Sequence, residues 1–300
     1  MKVAKASQIT LSINSTKLEN REGLNMDSKR ISRIGQIRVY VGKCYRAFIN
    51  EKLWKTFISA AIITIIIASV TGDNTFVTFR DTRNGAFALV CACIWIGLFN
   101  SIQSICKERA IIKREHRTGL HISSYVIAHM IYEMALCLCE ALIVTVIIFI
   151  KNWGHTPENP LIFPAGIELL VTFFLIIYSS DVLGLAISSI VKTANTAMTV
   201  MPFVLIIQLV MSGMIFELNG FTEKISKLTV SKWGLEAICS TSNVLELEID
   251  PMLIITDVMK TDYEHTIEHL LKIWLILAVF VMLYGIISII ALKFVDKDKR

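Results

Sequence analysis

Charge is scarce in this chain of 300 residues: Asp, Glu, Lys and Arg make up 18% of it, where a soluble globular protein carries about 25%. That excludes a soluble enzyme and also a disordered chain, which is rich in charge and poor in apolar residues. A cysteine framework is missing too. Six of the seven cysteines (Cys44, Cys91, Cys93, Cys106, Cys137 and Cys139) fall in apolar runs or beside basic segments, and only Cys239 lies in an expected external loop. A disulfide-stapled secreted module is therefore excluded, and the Cys-x-Cys pairs at 91/93 and 137/139 lack metal-ligand spacing. The first 50 residues hold no apolar h-region, so no signal peptide is expected. There is no phosphate-binding loop of the form G-x-x-x-x-G-K-[ST]; the nearest approach, Gly42-Lys43-Cys44, has Ile37 and Cys44 where Gly and Ser/Thr are needed. No Ser/His/Asp constellation or two-metal carboxylate pattern is present either. The chain alone is expected to hydrolyse no ATP and to hold no cofactor or metal.

What is present is apolar: 54% of residues, with a mean hydropathy of +0.60. These residues come in runs near the roughly 20 needed to cross a hydrocarbon core of about 30 Å. Six spans are expected, at 54–71, 86–106, 122–150, 167–191, 196–216 and 271–294. Residues 1–32 read as a polar leader, 54–295 as a six-span transmembrane domain, and 296–300 as a tail. Between leader and first span, Ile34, Ile37, Val41, Tyr45 and Phe48 recur every three or four residues among Arg33, Arg38, Lys43 and Arg46. This predicts a basic amphipathic helix over 33–53 on the inner membrane face.

The net charge of +5 follows membrane topology and gives no reason to expect nucleic acid. Lys29, Arg30, Arg33, Arg38, Lys43, Arg46, Lys52 and Lys55 precede the first span, and Lys107, Arg109, Lys113, Arg114 and Arg117 follow the second. Lys192 lies in the fourth connection and Lys293, Lys297, Lys299 and Arg300 at the end, whereas the loop before the last span is acidic. The positive-inside rule then puts both termini and 107–121 in the cytoplasm and 218–268 outside, for a multi-pass protein of the cell membrane. Trp153 and Trp233 near the outer face and Trp54 near the inner one suit aromatic belts.

Three constellations stand out. The stretch KERAIIKREHRTGL (107–120) mixes acids with bases, which a topology signal alone does not require. It predicts a short cytoplasmic helix over 107–119, ended by Gly119, with a protein-docking surface. Glu133, Glu140 and Asp181 fall within spans, where an acid costs about 2.5–3.5 kcal/mol on insertion scales, so each should face protein or water. They form either a proton or cation path or interhelical hydrogen bonds. His265 and His269, four apart, could share a helix face and a metal, or could be an exposed amphipathic stretch.

The stretch 95–131 resembles the membrane half of White-type, G-subfamily ABC exporters. Their charged motif, E-R-x-x-x-x-R-E-x-x-x-G, is matched by Glu108, Arg109, Arg114, Glu115 and Gly119. A second stretch, 191–239, resembles the family's fifth span and following loop through Pro202, Gln208, Ser212-Gly213 and Trp233-Gly234-x-Glu236-Ala237. The resemblance covers roughly 33–295. It implies an all-helical permease with re-entrant helices before the last span, working as a homodimer or heterodimer beside a separate ABC ATPase that binds ATP and Mg. Glu108, Arg109, Lys113, Arg114, Glu115, Arg117 and Gly119 would then couple the permease to the ATPase. Cys93, Ile96 and Asn100 on the second span and Pro202, Ile206 and Leu209 on the fifth would line the substrate path, with Met214 and Ile215 as outer gate. The expected function is export of an amphipathic or apolar substrate such as a drug, lipid or peptide. The rival readings are an ion- or proton-coupled carrier using Asp181 and Glu140, and a membrane-embedded metalloenzyme using His265 and His269.

Overall fold

The chain folds as helices, four of which start at a capping hydroxyl. Ser32 Oγ accepts the Gly35 amide, Thr78 Oγ1 that of Asp81, Thr193 Oγ1 that of Thr196, and Thr266 Oγ1 that of His269. Each satisfies an amide that has no partner inside its own helix. In this computed structural model the described residues are 32–72, 74–157, 160–216, 218, 220–249 and 257–294. The expected leader, apart from Ser32, and the expected tail 296–300 lie outside them.

In chain order the helices are α1 (Arg33–Asn50), α2 (Lys55–Val70), α3 (Phe79–Ser101), α4 (Ser104–Arg117), α5 (Ile122–Lys151) and α6 (Ala165–Ile190). Then follow α7 (Ala194–Val210), α8 (Phe221–Ser226), α9 (Val230–Thr241), α10 (Asp257–Asp262) and α11 (Ile267–Lys293). Among the described residues, four helical stretches are long and apolar enough to cross a membrane, beginning at Phe79, Ile122, Ala165 and Ile267. A fifth is reached if α1 and α2, bent by 71° at their junction, count as one span.

The expected six spans therefore differ from the fold in three ways. α2 has 16 residues and α7 has 17. α7 stops at Val210, six residues short of the expected end, where Gly213 takes a φ of +77° that other residues rarely adopt. α3 starts seven residues before the expected 86, because the Thr78 cap lets Arg80, Asp81, Arg83 and Asn84 enter the first turns.

α6 is the hub, packing against α3, α5, α9 and α11. Its crossing with α3 is close because both helices use small residues. A Cβ at Gly97 would overlap the Ile177 carbonyl oxygen, and one at Gly184 would overlap Ser101 Oγ. Such small-residue contacts let helix backbones approach where lipid gives no hydrophobic drive between helices. The core they enclose includes Leu98, Phe173, Ile176 and Ile177, all fully buried.

The expected external loop is, over its described residues, largely a plug in one end of the bundle. Val230, Leu235, Ala237, Ile238 and Cys239 on α9 are buried against α3, α6 and α11. Burial pushes the Cys239 thiol up to about 12. Backbone bonds Phe79 N–H to Glu248 O and Glu248 N–H to Val77 O close this end over the start of α3.

Candidate functional site

α4 closes the opposite end. It begins at Ser104, three residues before the expected 107, because Ser188 Oγ of α6 accepts the amides of Ile105 and Cys106, both at 3.1 Å. Arg109 in turn donates to the carbonyls of Ser189 and Val191 at the end of α6, at 2.9 and 3.0 Å. Gly119 follows the helix with φ +110°, and the Leu120 amide returns to the Glu115 carbonyl. This turn needs the left-handed conformation that glycine takes freely.

The acids of α4 face inward. Glu108 accepts from Lys43 Nζ at 3.1 Å and from the Tyr125 hydroxyl at 2.8 Å. Glu115 accepts from the Tyr40 hydroxyl at 2.6 Å. Burial, then the bond and charge of Glu115, hold the Tyr40 phenol above the usual tyrosine range. Gln36 spans the α4–α5 turn, donating to the Gly119 carbonyl and accepting the His121 amide. Lys107, Ile111 and Arg114 sit three and four residues apart on one exposed stripe, Arg117 is exposed beyond it, and Lys113 is half-buried. Sequence reasoning placed the α4 charges but missed Gln36, Tyr40, Lys43 and Tyr125 as their partners. The signal was the inner face of α1, where Gln36, Tyr40 and Lys43 follow at spacings of four and three.

Of the expected path residues, Ile96 and Asn100 come together, and those of α7 lie elsewhere. Cys93 is fully buried within the chain, and Ile96 is buried but touches a cleft. Asn100 Nδ2 lies 2.9 and 2.8 Å from the two carboxylate oxygens of Glu140 on α5. It also lines, with Ser59, Ile63, Trp95, Ile96 and Phe99, a small cleft of about 90 Å³ between α2 and α3. On α7, Pro202 and Ile206 are exposed and Leu209 is half-buried; none of the three lines that cleft. Met214 is half-buried against the core and Ile215 exposed, both beyond the end of α7. Gln208 is buried and holds α9: its Oε1 accepts the Ser231 amide at 3.1 Å.

Of the three acids within spans, Glu140 is an interhelical hydrogen-bond partner of Asn100. Asp181 and Glu133 are buried, and both Asp181 carboxylate oxygens and Glu133 Oε2 have no hydrogen-bond partner among the described residues. The two histidines meet backbone: His265 Nδ1 lies 2.7 Å from the Ser240 carbonyl oxygen and His269 Nε2 lies 3.0 Å from that of Asp262. The segment nearest in sequence to a phosphate loop is helical. Gly42-Lys43-Cys44 lies inside α1, where its amides serve the helix and Lys43 is tied to Glu108. A phosphate cradle needs amides that point outward from a loop.

Against known proteins, residues 36–242 match the family model described as ABC-2 type transporter. An ABC transporter ATP-binding/permease protein of Mycobacterium tuberculosis is 29% identical over 161 residues, which are 53% of this chain and 19% of that protein. The chain thus spans about a fifth of the length of this relative. Since the family match takes in more than half of the chain and the apolar helices supply a multi-pass membrane part, the protein belongs to the ABC-2 type transporter family.

Proposed function

We propose that these residues form the permease of an ATP-driven ABC exporter that works as a dimer with an ABC ATPase supplied outside the 300 residues. The ATPase binds ATP and Mg; α4 receives its movement and passes it to α1 through Glu108 and Glu115 and to α6 through Arg109. Both termini and α4 face the cytoplasm, the α9 end faces outward, and the substrate is amphipathic or apolar. The observation that carries the reading is the division of α4. Its two acids are engaged within the chain, while Lys107, Ile111 and Arg114 are left on the exposed stripe. A basic stripe around one apolar side chain suits docking on an acidic surface.

The test is co-expression with the cognate ATPase. Lys107→Glu with Arg114→Glu should abolish stimulation of ATP hydrolysis and weaken the complex, while the permease still inserts and dimerises. Glu108→Gln should instead loosen the permease itself. Like charges brought face to face across an interface repel at a cost of several kcal/mol, so the docking variants should lose complex at working concentrations. Unchanged stimulation in the double variant, or ATP hydrolysis by the isolated chain, would overturn the proposal.

A further inference from the structure

At the end of the bundle away from α4, one ammonium group serves two acids. Lys232 Nζ on α9 lies 2.7 Å from Glu236 Oε1, one turn along the same helix, and 3.1 Å from Asp262 Oδ2 at the end of α10. The side chains of Lys232, Glu236 and Asp262 are 13%, 4% and 32% exposed, so solvent screens the first two little. Asp262 belongs to the segment that leads into α11, and that segment is laced to its surroundings elsewhere. Ser240 Oγ donates to the Glu264 carbonyl, His265 reaches the Ser240 carbonyl, and Arg83 of α3 donates to the Tyr263 hydroxyl at 3.0 Å. α9 is in turn held to α7 by Gln208. Lys232 is thus the charged link between the element that follows the α7 wall and the entry to the last span.

The two acids compete. Ionised Glu236 draws Lys232 along its own helix and repels Asp262; neutral Glu236 does neither. We propose that Lys232 is a shared counter-ion fastening the entry of α11 onto α9, and that protonation of Glu236 tightens this latch by leaving the ammonium to Asp262 alone.

The surroundings of Glu236 agree with that role. Burial raises its carboxyl to about 7, against the opposing pull of Lys232 and with a further push from Asp262; Lys272 on α11 pulls weakly downward. Burial works against the Lys232 charge, but Glu236 and Asp262 together hold its proton above the usual lysine range. Arg83 of α3 acts on the neighbouring Cys239 and Tyr263, His269 of α11 meets the Asp262 carbonyl, and α6 presents apolar Ile176 at Gly234. Because the folded carboxyl holds its proton more tightly than a free one, the stabilisation is full in acid and is lost as pH rises through about 7. If unlatching returns Glu236 by one pKa unit toward its free value, the latch equilibrium changes about tenfold across the titration. The side from which the proton arrives rests on the orientation proposed above; the latch itself does not.

The test uses the full chain in lipid nanodiscs, with Cys139 replaced and spin labels on Leu228→Cys and Glu264→Cys, and needs no ATPase. Its failure is therefore separate from failure of the transport reading. Distances measured at about pH 5.5 should be narrow and at about pH 8 broader or longer, since this range brackets the titration. Glu236→Gln, which keeps the shape of the neutral acid, should give the narrow distribution at both pH values. Asp262→Asn, at a partly exposed site, should give the broad one at both and serves if the Glu236 variant does not fold. Identical wild-type distances at the two pH values would overturn the proposal. So would a pH response that survives in Glu236→Gln and Asp262→Asn but vanishes in His269→Gln.

Discussion

Asn100 illustrates how a residue can be placed correctly and understood only in part. Its position on an apolar span shows that it must face protein or a path. That it meets Glu140 is invisible in the sequence, because the partner is 40 positions away on another helix. Interhelical hydrogen bonds in membranes are worth about 0.6 kcal/mol on average and up to about 1.7 in double-mutant cycles. A shared, buried contact makes the two substitutions non-additive. We expect Asn100→Ala and Glu140→Ala each to lower the thermal stability of the purified chain, and the double variant to lose clearly less than the sum. Strict additivity in a thermal-shift cycle would remove the pair from the account. The inward turn of Glu108 and Glu115 was hidden for the same reason: charge spacing identifies α4 as a helix, but only Tyr40 and Lys43 decide which charges it keeps inside.

At the scale of elements, long apolar runs were readable and polar or short ones were not. α5, α6 and α11 begin and end within four residues of their expected limits, because each run exceeds membrane length. The start of α3 escaped because Arg80, Asp81 and Arg83 break the apolar pattern, and the bounds of α9 are hidden by Ser231, Lys232 and Glu236, so that helices before the last span were expected from the resemblance alone. The α3–α6 crossing, set by Gly97 and Gly184, was equally unreadable, since no residue pattern within one helix reveals its neighbour's backbone. It gives a sharp expectation. Gly97→Val would drive a branched side chain into the Ile177 carbonyl and the Asp181 amide. Overpacking of a filled core costs about 1–3 kcal/mol and more where backbone must move. Gly97→Val should leave little folded protein after detergent extraction, while Gly42→Val on α1, whose added Cβ would meet only the Arg46 guanidinium at 4.0 Å, should extract at wild-type yield. Equal recovery of the two would mean that the helices do not cross there.

For the whole molecule, orientation is the property to measure. Ile112, Leu245 and Cys239 are poor reporters, since the first and last are buried and the second half-buried. Ile111 and Glu246 are exposed at opposite ends. In intact cells carrying otherwise cysteine-free protein, an impermeant maleimide should label Glu246→Cys and spare Ile111→Cys; the reverse would invert the topology.

Neither α4 nor α6 completes its own terminus: a hydroxyl from α6 closes the amide end of α4, and a guanidinium from α4 closes the carbonyl end of α6. This joint behaves as a dovetail. Rotating one helix against the other would strip two amides and two carbonyls of their partners at once, at about 1–3 kcal/mol for each group left buried and unsatisfied. A displacement of α4 would therefore carry the end of α6 with it rather than turn against it. The 71° bend between α1 and α2 and the glycine turn after α7 both lie outside this joint.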